Sequence, residues 1–212
     1  MKNIKGAIFD LDGTIIDSMP MWHSLFEIYC REVNIEPTEE LLEFFRRASI
    51  PMVAEKLSCE FNLGTAEEIE NALYGIVADY YKNHATLRPN VDKFIKALKE
   101  AGVRMCVATV TASVHAKNAL LHTGLLEYFE DVISATDMGM DKGNPDFFLE
   151  ALKCINTEID ETAVFEDSLY AVKIAKSIGF YAVAIYEQNV TDKKQMEDTA
   201  DKYIYDYAEL LK

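Results

Sequence analysis

Two aspartates, Asp10 and Asp12, stand two residues apart directly after an apolar segment, residues 4–9. This segment predicts a buried parallel strand whose carboxyl end carries both side chains. Neighbouring carboxylates disfavour ionisation of both groups, so the pair offers a nucleophile and a general acid in one loop. Gly13 permits a tight turn there. An acidic surface turn is the alternative, but the position after a buried strand favours chemistry.

Polar residues recur at the ends of two later predicted strands, residues 103–108 and 163–165. Thr109 follows the first strand, and Glu166 and Asp167 follow the second. Because the carboxyl ends of strands in a doubly wound sheet meet at one crevice, we expect these side chains to join the two early aspartates. A cluster of oxygen ligands favours Mg²⁺ over zinc.

Each of these later residues also has an ordinary structural interpretation. Thr109 could simply end a strand, and Glu166 with Asp167 could cap the following helix. Lys142, in a polar loop, could be a solvated lysine. The residue types alone leave these alternatives open.

The apolar pattern divides the chain into an α/β part and a helical insert. Between residues 18 and 87, apolar residues recur at helical spacing without a strand pattern, which predicts a helical bundle. Within this insert, Thr65 and Glu68 have the spacing of a capping box and predict the start of a long helix. Residues 88–212 alternate strands and helices. Together with residues 1–17 they predict an α/β core, a Rossmann-like doubly wound parallel sheet with helices on both faces.

Composition excludes several classes of partner. The chain has 212 residues, 50% of them apolar, and a formal net charge of −15, which disfavours nucleic acid and anionic membranes. It has neither a signal-peptide pattern nor an apolar run long enough to span a membrane. Four widely spaced cysteines predict free, buried thiols in a reducing compartment: Cys30, Cys59, Cys106 and Cys154. We therefore expect a cytoplasmic protein, by default a monomer.

The segment from Phe9 to Thr14, with Asp17 and Ser18, resembles the first motif (DxDGT…DS) of the haloacid dehalogenase superfamily. The similarity is to its β-phosphoglucomutase-like branch with a helical cap, subfamily I. Counterparts of the other three motifs follow in chain order: Thr109, Lys142, and Glu166 with Asp167.

The resemblance implies a Mg²⁺-dependent phosphatase that hydrolyses a small phosphorylated metabolite through an aspartyl-phosphate, with residues 18–87 as the cap. It implies that Asp10 is the nucleophile and Asp12 the general acid and base. Thr109 and Lys142 would bind the phosphoryl group. The Mg²⁺ ligands would be Asp10, the Asp12 carbonyl and Asp167, with Glu166 nearby. Arg46, Arg47 and Thr111 are candidate substrate contacts, although the two arginines could equally be solvated cations at a helix end.

Two alternatives to a phosphatase stay open, a β-phosphoglucomutase-like phosphomutase and a non-catalytic binding protein. Mutases of this kind carry a His five positions after the counterpart of Asp17, where this chain has Trp22. They also carry a Lys-Asn pair where this chain has Ala112 and Ser113. Gly143 is a further departure, since this branch usually has Pro after the motif lysine.

Overall fold

A parallel β-sheet forms the centre of the α/β part of the chain. The computed structural model describes residues 4–188 and 193–211. The strands in these residues are β1 Gly6–Phe9, β2 Arg104–Thr109, β3 Val132–Ser134, β4 Thr162–Glu166, β5 Tyr181–Ile185 and β6 Lys202–Ile204. They lie in the order β3-β2-β1-β4-β5-β6, and every neighbouring pair is parallel. The predicted α/β, doubly wound class is therefore confirmed.

Helices connect the strands and form the insert. The α-helices of the described residues are α1 Met19–Glu32, α2 Glu39–Phe45, α3 Ile50–Phe61, α4 Ala66–Asp79, α5 Val91–Glu100, α6 Ser113–His122, α7 Ala135–Met138, α8 Pro145–Ile155, α9 Leu169–Ile178 and α10 Lys193–Thr199. Short 3-10 helices lie at Leu126–Tyr128, Ile159–Glu161 and Tyr207–Leu210.

Strand β1 is covered on both faces by apolar side chains. Ile8 belongs to a buried cluster that includes side chains of β2, β4, α8 and α9. On the opposite face, Phe9 stacks on Phe165 of β4 with a centroid distance of 4.3 Å, and Phe94 of α5 meets Phe9 edge-on at 6.3 Å. Because successive strand residues point to opposite faces, only a continuously apolar strand suits this position.

The winding of the sheet reverses at β1. In chain order β1 is followed by β2 on one side and β3 beyond it, whereas β4 pairs with the other side of β1. Such a switch point opens a crevice beyond the carboxyl ends of the strands. The residues that follow β1 and β4 border this crevice.

Residues 18–84 form a unit of their own by their internal contacts. This unit contains α1 to α4 and a π-helix, Tyr80–His84. Its α4 starts with the predicted capping box, in which the Glu68 N–H donates to Thr65 Oγ1 at 3.2 Å and the Thr65 N–H donates to Glu68 Oε2 at 2.8 Å. These bonds satisfy backbone donors that the first helical turn leaves open.

The two units of the chain divide after Asp17 and after His84. The sequence assigned residues 85–87 to the insert, but they associate with the sheet unit. The Asp17 N–H donates to the Thr86 carbonyl at 2.8 Å, and Leu87 forms an isolated antiparallel bridge with Ile16.

The cysteines are free thiols, but their environments differ. Cys30 and Cys106 are buried, whereas Cys59 is exposed on α3, so the prediction of burial is wrong for Cys59. Cys59 falls on the polar side of an amphipathic helix, a position that composition alone does not reveal. Cys154 of α8 packs against the cluster that contains Cys106.

The helices in residues 4–188 and 193–211 are short compared with the thickness of a bilayer. The longest, α1 and α4, have 14 residues each, against about 20 apolar residues for a bilayer crossing. None of the described helices has the length and apolar character that such a crossing needs.

Candidate active site

A tight loop after β1 presents Asp10 and Asp12. The Asp10 N–H donates to the Phe165 carbonyl at 2.9 Å, which continues the pairing of β1 with β4. The N–H groups of residues 15 and 16 then both donate to the Leu11 carbonyl at 2.8 Å. Gly13 has φ +73°, a conformation that favours glycine. The loop thus holds its two aspartates at the carboxyl end of the central strand.

A second loop, between α7 and α8, presents Lys142. The Gly143 N–H donates to Asp141 Oδ1 at 2.7 Å, and the Asn144 N–H donates to the Asp141 carbonyl at 2.9 Å. Asn144 then caps α8 by accepting from the Asp146 N–H at 3.0 Å. A proline at position 143 could not donate the first bond, so the glycine is part of this turn.

Lys142 lies among carboxylates and is almost completely buried, with 3% of its surface exposed. Its ammonium pairs with Asp10 Oδ1 and lies 2.7 Å from Glu166 Oε1. The interpretation of Lys142 as a solvated loop residue is therefore wrong. Three segments of the chain, after β1, before α8 and at the end of β4, meet at this ammonium.

Glu166 both pairs with Lys142 and shapes the loop after β4. Its Oε2 accepts from the Asp167 N–H at 2.7 Å and from the Ser168 N–H at 3.1 Å. Both N–H groups precede Leu169, the first residue of α9, so these bonds shape the loop and do not cap the helix. These bonds hold Asp167 beside Asp10 at the switch point.

Burial controls the protonation of this cluster. Loss of solvation raises the pKa of Asp10 to about 8, although the ammonium of Lys142 opposes the shift. Burial, followed by the charge of Glu166, raises the pKa of Asp167 well above its usual range. Burial also opposes the charge of Lys142, but the charges of Asp10 and Glu166 outweigh it and raise its pKa. Asp10 and Asp167 therefore hold their protons more tightly than ordinary aspartates do, whereas the Lys142 ammonium stays charged.

The cluster fits a divalent cation. Carboxylate oxygens of Asp10, Glu166 and Asp167 lie within 4.8 Å of one another, and all three residues are buried. If all three carboxylates are ionised, their charge exceeds that of the Lys142 ammonium by two, which is the charge that a divalent cation carries. Oxygen-only donors suit a hard ion such as Mg²⁺.

Thr109 and Thr111 complete the polar end of β2. Thr109 is 1% exposed, and its Oγ1 accepts from the Thr111 N–H at 3.1 Å. The Thr111 hydroxyl donates to Asp12 Oδ2 at 2.6 Å. Sequence reasoning missed this last bond, because 99 positions separate the two residues and no local pattern marks it.

The predicted arginines Arg46 and Arg47 belong to the helical unit. Arg46 Nη1 donates to Glu43 Oε2 at 2.6 Å, and Arg47 pairs with the other oxygen of Glu43. Side-chain exposure is 61% for Arg46 and 77% for Arg47. The single carboxylate of Glu43 balances the charge of one of these two exposed arginines. The role of Arg46 and Arg47 in substrate binding stays a prediction.

A doubly wound sheet with buried acids and a buried lysine at its switch point is typical of α/β enzymes. Over residues 7–185 the chain matches the family model described as haloacid dehalogenase-like hydrolase. The chain belongs to the haloacid dehalogenase-like hydrolase family. The resemblance inferred from its motifs and the prediction of a hydrolase are confirmed.

Individual relatives carry more than one activity in their names. The phosphorylated carbohydrates phosphatase of Thermotoga maritima is 22% identical, over 91% of this chain and 90% of that protein. The β-phosphoglucomutase of Bacillus subtilis is 23% identical, over 86% of this chain and 83% of that protein. The crystal structure of CbbY from Rhodobacter sphaeroides in complex with phosphate has a TM-score of 0.74 and 21% identity, covering 98% of this chain and 96% of that one. This structural likeness concerns the fold.

Proposed function

We propose that this protein is a Mg²⁺-dependent phosphatase that hydrolyses a small phosphorylated metabolite through an aspartyl-phosphate intermediate. The observation that supports this proposal most directly is the buried Asp10, which pairs with the Lys142 ammonium. It belongs to a cluster in which three acids surround a single cation. Such a site attracts a divalent cation and an anionic group together. The resemblance of the motifs and the family membership support the same reaction.

The proposed metal ligands are the carboxylates of Asp10 and Asp167 and the carbonyl of Asp12, with Glu166 beside them. When bound, Mg²⁺ supplies the positive charge that keeps Asp10 ionised and neutralises the phosphate. Burial favours protonated Asp10 in the bare site. We therefore expect metal binding to release protons and to activate the nucleophile.

Asp10 is the proposed nucleophile, and Asp12 the general acid and base. An oxygen of Asp10 forms a bond to phosphorus while the ester bond breaks, and its electron pair stays on the leaving oxygen. Asp12 donates its proton to that oxygen. In the second step Asp12 takes a proton from the water that attacks phosphorus, and the Asp10–phosphorus bond breaks.

Thr109 and Lys142 are proposed to bind the transferred group. The Thr111 N–H already occupies a lone pair of Thr109 Oγ1, so the hydroxyl proton of Thr109 can point to a phosphoryl oxygen. Lys142 adds a charge that is buried and fixed by two carboxylates, so little reorganisation is needed when negative charge develops.

The names of relatives indicate the substrate class. Among the relatives, one is named for phosphorylated carbohydrates, which suggests a sugar phosphate or a similar ester. We propose the helical unit, residues 18–84, as a substrate-selecting cap, with the exposed guanidiniums of Arg46 and Arg47 as anion contacts. Thr111 was a third candidate contact.

A phosphomutase is the second candidate function, because one relative is named β-phosphoglucomutase. The residues that distinguish such mutases differ here, with Trp22 in place of His and with Ala112 and Ser113 in place of Lys-Asn. These departures favour hydrolysis.

The free thiols, Cys106 and Cys154 among them, support a reducing, cytoplasmic location.

The test is phosphate release from a panel of sugar phosphates, glycolate 2-phosphate and p-nitrophenyl phosphate, with Mg²⁺ and with chelator. We expect Mg²⁺-dependent release by the wild type and none by Asp10→Asn. The matched control is Asp160→Asn, an exposed carboxylate in a 3-10 helix, which should retain full activity. Borohydride trapping during turnover should convert Asp10 to homoserine, which peptide mass spectrometry identifies.

Three outcomes would contradict the proposal. Release that persists in Asp10→Asn would exclude this nucleophile, and release in the presence of chelator would exclude the metal. Conversion of glucose 1-phosphate to glucose 6-phosphate, with added bisphosphate and without net phosphate release, would establish the mutase instead.

A further inference from the structure

We propose that Thr111 is a positioning residue that orients the carboxyl group of Asp12 for proton transfer. The inference deepens the proposed function and rests on it. It assigns Thr111 a role different from the substrate contact that the sequence suggested.

The geometry at Thr111 joins two elements of the proposed mechanism. Its hydroxyl donates to Asp12 Oδ2 at 2.6 Å, and its backbone N–H donates to Thr109 Oγ1 at 3.1 Å. Thr111 is half-buried, as is Asp12, so water competes only partly for these bonds. One residue at the end of β2 thus fixes the proposed acid and the proposed phosphoryl-binding hydroxyl relative to each other.

The hydrogen bond from Thr111 restricts rotation of the Asp12 carboxyl about its Cβ–Cγ bond. A carboxyl that accepts at Oδ2 carries its own proton most readily on Oδ1, so the bond also selects the oxygen that delivers the proton. General acid catalysis requires the proton within hydrogen-bond reach of the leaving oxygen. Loss of the Thr111 hydroxyl should therefore weaken protonation of the leaving group and little else.

This role predicts a dependence on the leaving group. An alkoxide is a strong base and leaves only when protonated, whereas p-nitrophenolate leaves without a proton. The ratio kcat/KM reports the steps up to release of the alcohol or phenol, because the bond to the leaving group breaks there. A contact with the phosphoryl group or a general structural role would lower kcat/KM for both kinds of ester. A contact with the alcohol part would lower it for the best alkyl phosphate but not for an alkyl phosphate of unrelated structure.

The experiment compares Thr111→Val and Thr111→Ser with the wild type on p-nitrophenyl phosphate and on the best alkyl phosphate of the panel. For Thr111→Val we expect kcat/KM to fall by about 10- to 100-fold on the alkyl ester. On the aryl ester it should fall less than about threefold. Thr111→Ser keeps the hydroxyl and should restore the alkyl activity.

Thr123→Val is the matched control, since it also removes a threonine hydroxyl from the sheet unit, one bonded to the Ala119 carbonyl at 2.8 Å. It should change neither activity. Melting temperatures of all variants show whether they fold, and Thr111→Ala, which also lacks the hydroxyl, carries the test if Thr111→Val does not fold. Equal losses on both esters, or failure of serine to rescue a folded enzyme, would overturn the inference. If the wild type releases no phosphate, the proposed function fails instead.

Discussion

Gly13 lies so close to Asp167 that a Cβ atom on the glycine would collide with Asp167 Oδ2. The loop after β1 and the loop after β4 therefore touch through a backbone that carries no side chain. This approach brings the Asp167 carboxylate to the same place as that of Asp10, where the three acids of the cluster gather.

Gly13→Ala should both destabilise the fold and damage the metal site. Gly124→Ala is the matched control, because Gly124 has φ +72° but no atom within 4 Å of an added Cβ. Both variants should lose about 1 kcal/mol from backbone strain. Gly13→Ala alone should lose more of its free energy of unfolding than this. Mg²⁺ should raise the melting temperature of Gly124→Ala, but not that of Gly13→Ala. Identical thermal melts of the two variants, with and without Mg²⁺, would show that the contact with Asp167 is unimportant.

Lys142→Met should abolish most of the activity, because it removes the ammonium that Asp10 and Glu166 share. We expect kcat/KM to fall by about 10²- to 10³-fold. Lys142→Arg should not restore it, since a planar guanidinium cannot replace a compact ammonium in a buried site. Lys153→Met, which removes an exposed partner of Glu150, is the control and should be fully active. Comparable activity of the Lys142→Met variant and the wild-type enzyme would remove Lys142 from the mechanism.

Arg88 supports a buried acid outside the proposed site. Its Nη1 lies 3.2 Å from Glu187 Oε2, and the side chains are 12% and 8% exposed. Arg88→Met leaves this carboxylate without its cation, although the Gln188 N–H still donates to Glu187 Oε1 at 2.9 Å, and should reduce the free energy of unfolding by about 3–5 kcal/mol. The double variant with Glu187→Leu should recover much of the loss, as measured by urea denaturation. A double variant no more stable than Arg88→Met would contradict this account.

Tyr207 should make the protein sensitive to alkaline pH. Burial raises its pKa well above the ordinary value of 10, and its hydroxyl donates to the Thr14 carbonyl at 3.2 Å. Below about pH 10 both the folded and unfolded chains keep the proton. Above that pH the unfolded chain loses it first, so the free energy of unfolding falls as the pH rises.

Tyr207→Phe should therefore lose about 1 kcal/mol near pH 8, from the missing hydrogen bond, and show a shallower decline above about pH 10. Urea denaturation at a series of pH values measures both effects. Tyr74→Phe, at a position 44% exposed in α4, is the control and should retain the wild-type slope. An unchanged slope in Tyr207→Phe would mean that other groups cause the alkaline loss.

The parts of the fold that sequence predicted are those with a strong local pattern. The apolar run before Asp10 and the capping box at Thr65 each lie within a few residues, so their physical cause is visible in the sequence. Helix α10 has one buried residue, Met196, among polar neighbours, so it lacks the apolar stripe that would predict a helix. Helix α7 has four residues, too few to show such a stripe.

The candidate site divides in the same way. Its acids were predicted because each follows an apolar strand. The burial of Lys142 could not be predicted from its own loop, which is polar, and only the order of motifs identified the residue. The bond from Thr111 to Asp12 depends on tertiary packing, which no local pattern encodes. The pairing of Arg46 and Arg47 with Glu43 depends on side-chain rotamers, which the sequence does not show.

The central position of β1 also has a consequence for synthesis on the ribosome. This strand is made before the other described strands, yet its two edges are covered by β2 and β4, and its Phe9 stacks on Phe165 of β4. Until β4 emerges, a fully apolar strand exposes one unpaired edge, the kind of surface that recruits chaperones or drives aggregation. Nascent chains stalled before residue 162 should thus be the form of this protein most in need of protection.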